Sequence, residues 1–70
     1  MTRINVDYLR RLRRQRKLKL QDIANLLGKN VATAWRYENA ESKITADALF
    51  MLADFYGVPI QSFYIRETDE

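Results

Sequence analysis

The apolar residues of this chain recur at intervals of three and four positions, which is the spacing of one face of an α-helix. The pattern predicts five short helices and no strand. The predicted helices cover approximately residues 5–16, 20–27, 31–37, 46–56 and 59–64. Because the connections between them are short, the fold class we expect is a compact all-α bundle.

The predicted helix boundaries coincide with residues that favour helix starts and stops. Asn5, Asn30 and Thr45 suit N-cap positions, and Gly28 and Gly57 suit the left-handed conformation that closes a helix. A hydrophobic staple joins the apolar residue before a cap to another five positions later. Three pairs have this spacing, namely Ile4 with Leu9, Leu18 with Ile23, and Ile44 with Leu49.

Charge is distributed unevenly along the chain and narrows the range of partners. Residues 1–36 carry ten Arg and Lys and two acidic residues, a local charge of +8. Residues 37–70 carry two Arg and Lys and seven acidic residues, a local charge of −5, and the two local charges sum to the net charge of +3. Such asymmetry is typical of a protein that presents one face to a polyanion. We expect one or two of the arginines in residues 10–16 to approach phosphate and the rest to steer association. A solvated cationic helix face is the alternative interpretation.

The composition argues against several classes of protein. The chain has no cysteine and no histidine, which disfavours zinc sites and most nucleophile–base pairs. We therefore expect no enzyme activity, no metal and no cofactor. The longest apolar run, Ala48 to Ala53, is too short for a membrane span, and we expect cytoplasmic residence with no membrane partner. Residues 1–66 are predicted to form the domain, and residues 67–70 a frayed acidic end.

The second and third predicted helices, LQDIANLLG and KNVATAWRYEN, have a helix-turn-helix pattern. This motif requires a small residue where the two helices cross, which Ala24 supplies, and a glycine in the turn, which is Gly28. It also requires apolar residues that face the core. These positions are occupied by Ile23, Leu27, Ala34 and Tyr37.

Taken in order, these residues resemble the phage-repressor and Cro family of helix-turn-helix proteins, also called XRE-like domains. The resemblance covers about residues 5–65 and rests on Leu18, Ile23, Ala24, Leu27, Gly28, Thr33, Glu38, Asn39, Leu49, Leu52, Ala53, Val58, Pro59 and Phe63. It implies a five-helix lambda-repressor-like domain that binds double-stranded DNA and regulates transcription, most simply as a repressor. The chain differs from the family's usual residues at four positions, Lys19, Leu20, Trp35 and Ala40, the last of which replaces a glycine.

The resemblance also implies which residues contact DNA. The helix after Asn30 would lie in the major groove, and at about 100° per residue four side chains share its outward face. The expected base-reading residues are Val31, Ala32, Trp35 and Arg36. Arg36 is the main candidate because a guanidinium can bond O6 and N7 of guanine together. The residues expected to contact the DNA backbone are Gln21, Lys29, Asn30, Thr33 and Asn39.

Two further expectations concern an ion pair within the domain and a dimer interface. Arg13 and Glu38 occupy positions that often form an ion pair in the family. The chain also has more large apolar residues than so small a core is expected to hide, among them Phe50, Met51, Phe55, Tyr56, Phe63, Tyr64 and Ile65. Because exposed apolar clusters mark contact sites, we expect Phe63, Tyr64 and Ile65 to form a homodimer interface. Such a dimer would present two recognition helices to an inverted repeat, about 34 Å apart.

A function of another class stays open at this point. A bulky aromatic residue is unusual on a reading face, so Trp35 is also compatible with a protein-binding adaptor or anti-repressor that uses the same face for a regulatory protein partner. The two functions differ in their salt dependence, because DNA binding releases counterions and weakens steeply as salt rises.

Overall fold

The structure, a computed structural model, describes residues 2–66, with side chains described for residues 3–65. The elements in chain order are β1 (Thr2–Ile4), α1 (Val6–Gln15), α2 (Leu20–Leu27), α3 (Val31–Glu38), α4 (Ala46–Tyr56), a 3₁₀ helix (Ile60–Phe63) and β2 (Tyr64–Arg66). No helix in residues 2–66 has both the length and the apolar character needed to cross a bilayer. The predicted frayed end, residues 67–70, lies outside the described residues.

The α-helices begin and end where local chemistry favours a boundary. The side chains of Asn5, Asn30 and Thr45 each accept a hydrogen bond from the backbone N–H three residues later, at 3.1, 2.8 and 3.1 Å. Gly28 and Gly57 end α2 and α4 in the left-handed conformation, with φ of 67° and 70°. Each α-helix therefore lies within one residue of its predicted bounds.

The start of α2 is capped by a carboxylate, although the residue at its N-cap position is a lysine. The backbone N–H of Lys19 donates to Asp22 Oδ2 at 2.8 Å. Asp22 stands in the first turn of α2, where a negative charge is favoured by the helix dipole. This contact satisfies the N–H of Lys19 itself, and the N–H of Asp22, which a Ser or Thr side chain would cap, donates to the Lys19 carbonyl at 3.0 Å.

The prediction that the chain has no strand is wrong. β1 pairs antiparallel with β2, with Thr2 opposite Arg66 and Ile4 opposite Tyr64. The N–H of Asn5 donates to the carbonyl of Phe63 at 2.7 Å and continues this pairing. Strands of three residues are too short to show the period-two alternation by which a strand is recognised in a sequence.

The five-helix count also needs correction. The segment predicted as a fifth helix is a 3₁₀ helix over Ile60–Phe63 that follows Pro59. The domain described by residues 2–66 thus contains four α-helices, one 3₁₀ helix and a two-stranded antiparallel sheet. The fold remains mainly helical, with the sheet closing it beside α1.

One apolar cluster forms the core, with contributions from all four α-helices and the 3₁₀ helix. Its members are Leu9, Leu12, Ile23, Ala24, Leu27, Ala34, Tyr37, Ile44, Ala48, Leu49, Leu52, Ala53, Tyr56 and Phe63. The staple residues belong to this cluster or, as with Ile4 and Leu18, are partly buried against it. The cluster accounts for the predicted core positions of the helix-turn-helix.

The burial of Phe63 overturns one predicted interface residue. Its side chain is 0% exposed, and its ring centroid lies 5.9 Å from that of Tyr8 on α1. Phe63 therefore belongs to the core and has no surface for a dimer contact. Sequence reasoning underestimated the core, which also buries Tyr56.

Among residues 2–66, two residues other than glycine adopt a left-handed backbone, Lys17 with φ of 56° and Ala40 with φ of 59°. An L side chain in this region costs about 1–2 kcal/mol. Ala40 stands where the Cro-like pattern has a glycine, and its φ gives the physical reason for that preference.

We predict that Ala40→Gly raises the free energy of unfolding by about 0.5–1 kcal/mol, because relief of the left-handed strain exceeds the added entropy of the unfolded chain. The matched control is Ala46→Gly in the first turn of α4, which we expect to lower stability by a similar amount. Urea unfolding of the three proteins measures both changes. A destabilised Ala40→Gly variant would contradict the prediction.

Candidate nucleic-acid interface

The position of α3 is set by its contacts with α2 and α1. Ala24 of α2 is 0% exposed, and a residue this small allows the two helices to approach closely. Gly28 makes the turn between them, and the N–H of Lys29 returns to the carbonyl of Ala24 at 2.9 Å. On α3, Ala34 and Tyr37 are buried. The inward face of α3 is therefore the one that the sequence predicts.

The outward face of α3 brings together the four predicted base-reading residues, Val31, Ala32, Trp35 and Arg36. All four are exposed, and Val31 and Trp35 each retain 44% of their accessible surface. This face combines one guanidinium, one indole and two small apolar side chains. Chemically it can donate paired hydrogen bonds and make apolar contacts with a flat or grooved partner.

The residues predicted to contact a DNA backbone surround this face. Lys29, Asn30, Asn39 and Gln21 are exposed, and Thr33 is half-buried. Asn30 uses its side-chain oxygen to cap α3, which leaves its amide N–H groups directed away from the cap. Gln21 and Asn39 each use one side-chain N–H within their own helix region, on Asn25 Oδ1 at 3.0 Å and on the carbonyl of Trp35 at 2.9 Å. Each of these amides has a second N–H.

A nearly buried ion pair fastens the end of α3 to α1. Nε of Arg13 lies 2.8 and 3.0 Å from the two carboxylate oxygens of Glu38, and the side chains are 14% and 8% exposed. Nη1 of Arg13 also donates to the carbonyl of Leu18 at 2.9 Å. The pair that the resemblance implied thus joins the basic first helix to α3.

Arg10 adds a second connection that sequence reasoning missed. Its Nη2 donates to the backbone carbonyl of Glu38 at 2.9 Å, one turn of α1 before Arg13. The signal in the sequence is the spacing of three between Arg10 and Arg13, which places both on one side of a helix. Two arginines of α1 therefore hold the end of α3.

Tyr56 lies close to this ion pair and stays uncharged at neutral pH. Burial raises the pKa of Tyr56 to about 12, and the Glu38 carboxylate acts in the same direction. The Arg16 guanidinium lies 4.9 Å from the centroid of the Tyr56 ring and donates to the Tyr56 carbonyl at 2.9 Å. These contacts attach the last turn of α1 to the end of α4.

Outside α3, the exposed large apolar side chains of residues 3–65 lie on β2 and on α4. Tyr64 in β2 is 42% exposed, and its neighbour Ile65 is half-buried. On α4, Phe50, Met51 and Phe55 are 60%, 42% and 46% exposed. The sheet thus exposes part of the predicted dimer interface, while the larger apolar surface lies on α4.

The fold and the exposed face of α3 agree with a comparison against known families. A family model described as a helix-turn-helix domain matches residues 6–62, from the start of α1 into the 3₁₀ helix. This match covers most of the chain, and the protein therefore belongs to the helix-turn-helix family, of the Cro-like type. That family places it in the DNA-binding class. No curated protein matches the chain.

We predict that Glu38→Ala lowers the free energy of unfolding by about 3 kcal/mol, because it leaves the Arg13 charge nearly buried and unpaired. The double variant Arg13→Met, Glu38→Leu is expected to lose much less, since it removes both charges and keeps apolar volume. Urea unfolding measures the two changes. Equal losses in both variants would show that the charges do not act as a pair.

Proposed function

We propose that this protein is a sequence-specific double-stranded DNA-binding regulator of transcription, acting as a repressor, with α3 in the major groove. The observation that carries the proposal is the exposed face of α3, on which Arg36 stands beside Val31 and Ala32. The major groove is about 12 Å wide and admits an α-helix. A helix held rigidly by α1 and α2 is suited to entering it.

Arg36 is the residue to which we assign direct base readout. A guanidinium forms two parallel hydrogen bonds with O6 and N7 of guanine, and Arg36 is exposed in the last turn of α3. Val31 and Ala32 supply apolar surface for thymine methyl groups. Together these side chains favour readout of a short half-site.

The residues around α3 are suited to positioning the protein on the DNA backbone. Asn30, Thr33 and Lys29 cluster at the start of α3, and Gln21 lies in the first turn of α2. Contacts of this kind fix register without reading sequence. The basic character of residues 1–36 supports the same partner through long-range attraction. We assign the protein a binding role and no catalytic step, and a place of action on cytoplasmic DNA.

We also propose that the regulator works as a homodimer on an inverted repeat, through Tyr64 and Ile65 of β2. Tyr64 is exposed, and a two-stranded sheet has open edges that can pair with another copy. A two-fold dimer would repeat the reading helix with the spacing of one DNA turn. Phe63 is excluded from this interface by its burial.

The proposed function predicts that Arg36 determines part of the DNA sequence specificity. In a binding selection from random duplex DNA at low and near-physiological salt, the wild-type protein should enrich an inverted-repeat motif. Arg36→Ala should relax the preference at one position of each half-site, by about 1–3 kcal/mol. Arg36→Lys is the matched control for charge, because lysine keeps the cation but loses the paired hydrogen bonds. It should lose the same base preference while it keeps more of the affinity.

Two results would contradict the proposed function. One is weak, motif-free binding that disappears at higher salt, which would mean that the basic residues only attract polyanions. The other is an unchanged motif in Arg36→Ala. If DNA binding survives Arg36→Ala and Trp35→Ala abolishes a protein contact, the α3 face serves a protein partner instead.

The proposed homodimer predicts a change of oligomeric state when its interface is altered. Sedimentation equilibrium at micromolar concentration should show a dimer for the wild-type protein and a monomer for Tyr64→Glu, because a charge is costly in an apolar interface. Phe50→Glu is the control, since it places the same charge on the exposed apolar surface of α4. A monomeric Phe50→Glu beside a dimeric Tyr64→Glu would move the interface to α4. Circular dichroism checks that both variants fold.

A further inference from the structure

A polar cleft lies between α1 and α3, next to the reading face. Its volume is about 220 Å³. Arg10, Arg13 and Arg14 line it from α1, Trp35 and Glu38 line it from α3, and Asn39 lines it just after the end of α3. Trp35 therefore borders both the reading face and this cleft. Trp35, Asn39 and the α1 arginines, which the sequence analysis expected to contact DNA in different ways, thus meet in one cleft.

The three arginines of the cleft differ in how far an acidic partner balances their charge. The charge of Arg13 is balanced by the Glu38 carboxylate at 2.8 Å. Arg10 is held by a neutral group, the Glu38 carbonyl, and its carboxylate partner Asp7 is 3.7 Å away with an 80% exposed side chain. An ion pair so exposed is weak, so Arg10 keeps most of its positive field.

Arg14 is the least engaged of the three. It is exposed, and within residues 3–65 its side chain makes no hydrogen bond or ion pair, whereas the side chains of Arg10 and Arg13 both do. Arg10 and Arg14 are four residues apart on α1 and therefore lie on the same side of the helix. Together they leave about two positive charges at the mouth of the cleft with unused N–H donors.

The remaining walls suit a sugar-phosphate group better than a base edge. Leu20 contributes an apolar side chain at the start of α2, and Trp35 contributes an aromatic ring with one N–H donor. Asn39 is bound to the Trp35 carbonyl at 2.9 Å and keeps its second amide N–H. The cleft thus combines the Arg13–Glu38 ion pair with two further cations, several N–H donors and an apolar wall.

We propose that this cleft binds a phosphodiester of the DNA backbone, with Arg14 and Arg10 as its cationic donors and Trp35 packed against the adjoining sugar. The proposal rests on the proposed function, because it places the cleft over one wall of the groove that α3 enters. It changes the role of Trp35 from base reading to backbone contact. A guanidinium pair matches the geometry of phosphate oxygens.

The experiment compares Arg14→Ala with Arg11→Ala, which removes the same charge from an exposed position of α1 that does not line the cleft. The affinity for the selected duplex is measured from about 50 to 200 mM salt. One lost phosphate contact lowers the salt slope by about 1. Raising the salt over this range should therefore weaken DNA binding by the wild-type protein about 3.5-fold more than DNA binding by Arg14→Ala. Arg11→Ala should keep the wild-type slope.

Trp35 is the only tryptophan in the sequence, so tryptophan fluorescence reports directly on the cleft. Duplex DNA should change the Trp35 fluorescence of the wild-type protein, and saturation of Arg14→Ala should produce a smaller change. Inorganic phosphate at the same phosphate concentration serves as the second probe. A phosphate-induced change equal to that of the duplex would show an anion site that is independent of the groove and would overturn the proposal.

Trp35→Ala separates backbone contact from base readout. The selection should return the wild-type motif with Trp35→Ala, and the affinity should fall by the same factor on every duplex. An altered motif would make Trp35 a base-reading residue and overturn its role in the cleft. Equal salt slopes for Arg14→Ala and Arg11→Ala would overturn the role of Arg14.

The outcomes distinguish this proposal from the proposed function. A wild-type motif together with an unchanged Arg14→Ala slope would refute the cleft alone. If the wild-type protein selects no motif, the proposed function fails, and the cleft is then tested by the same fluorescence measurement with duplex DNA of random sequence. An Arg14-dependent change in Trp35 fluorescence would then still support phosphodiester binding, and its absence would refute the cleft as well.

Discussion

The orientation of α3 depends on a directional contact, the nearly buried ion pair between Arg13 and Glu38. Apolar packing of Ala34 and Tyr37 holds α3 against the core, but such contacts are non-directional. The Nε–H of Arg13 is shared between both carboxylate oxygens, and this hydrogen bond fixes the end of α3 in a defined direction. Because Arg10 holds the carbonyl of the same residue, α1 restrains both the side chain and the backbone of Glu38.

This restraint matters because the elements themselves are short. Helices of eight residues, such as α2 and α3, are marginal in isolation, so their stability comes from the shared core. The pairing of β1 with β2 brings segments 60 or more residues apart into contact, and the N–H of Asn5 continues it to the carbonyl of Phe63. The sheet therefore ties the start of α1 to the 3₁₀ helix, whose Phe63 packs against Tyr8 in the core.

Local chemistry made the helix boundaries predictable, because Asn5, Asn30 and Thr45 act within one turn of their own position. The two strands were not predictable for the opposite reason, since each needs a partner at the far end of the chain. The same limit applies to burial. Helical periodicity placed Ala34 inward and Arg36 outward, yet it could not show that Phe63 is covered while Phe50 on α4 is left 60% exposed.

The site shows this limit in its sharpest form at Trp35. Periodicity along α3 puts Trp35 on the outward face, and on that ground alone it is grouped with Arg36 as a reader of bases. Its surroundings, however, come from another helix, because Arg10 and Arg14 of α1 border the same cleft. An aromatic ring beside arginines that are at most weakly paired, as Arg10 is with Asp7 at 3.7 Å, suits the phosphodiester that we propose for this cleft. The role of a residue on a recognition helix is therefore decided by the neighbouring helix as much as by its own position.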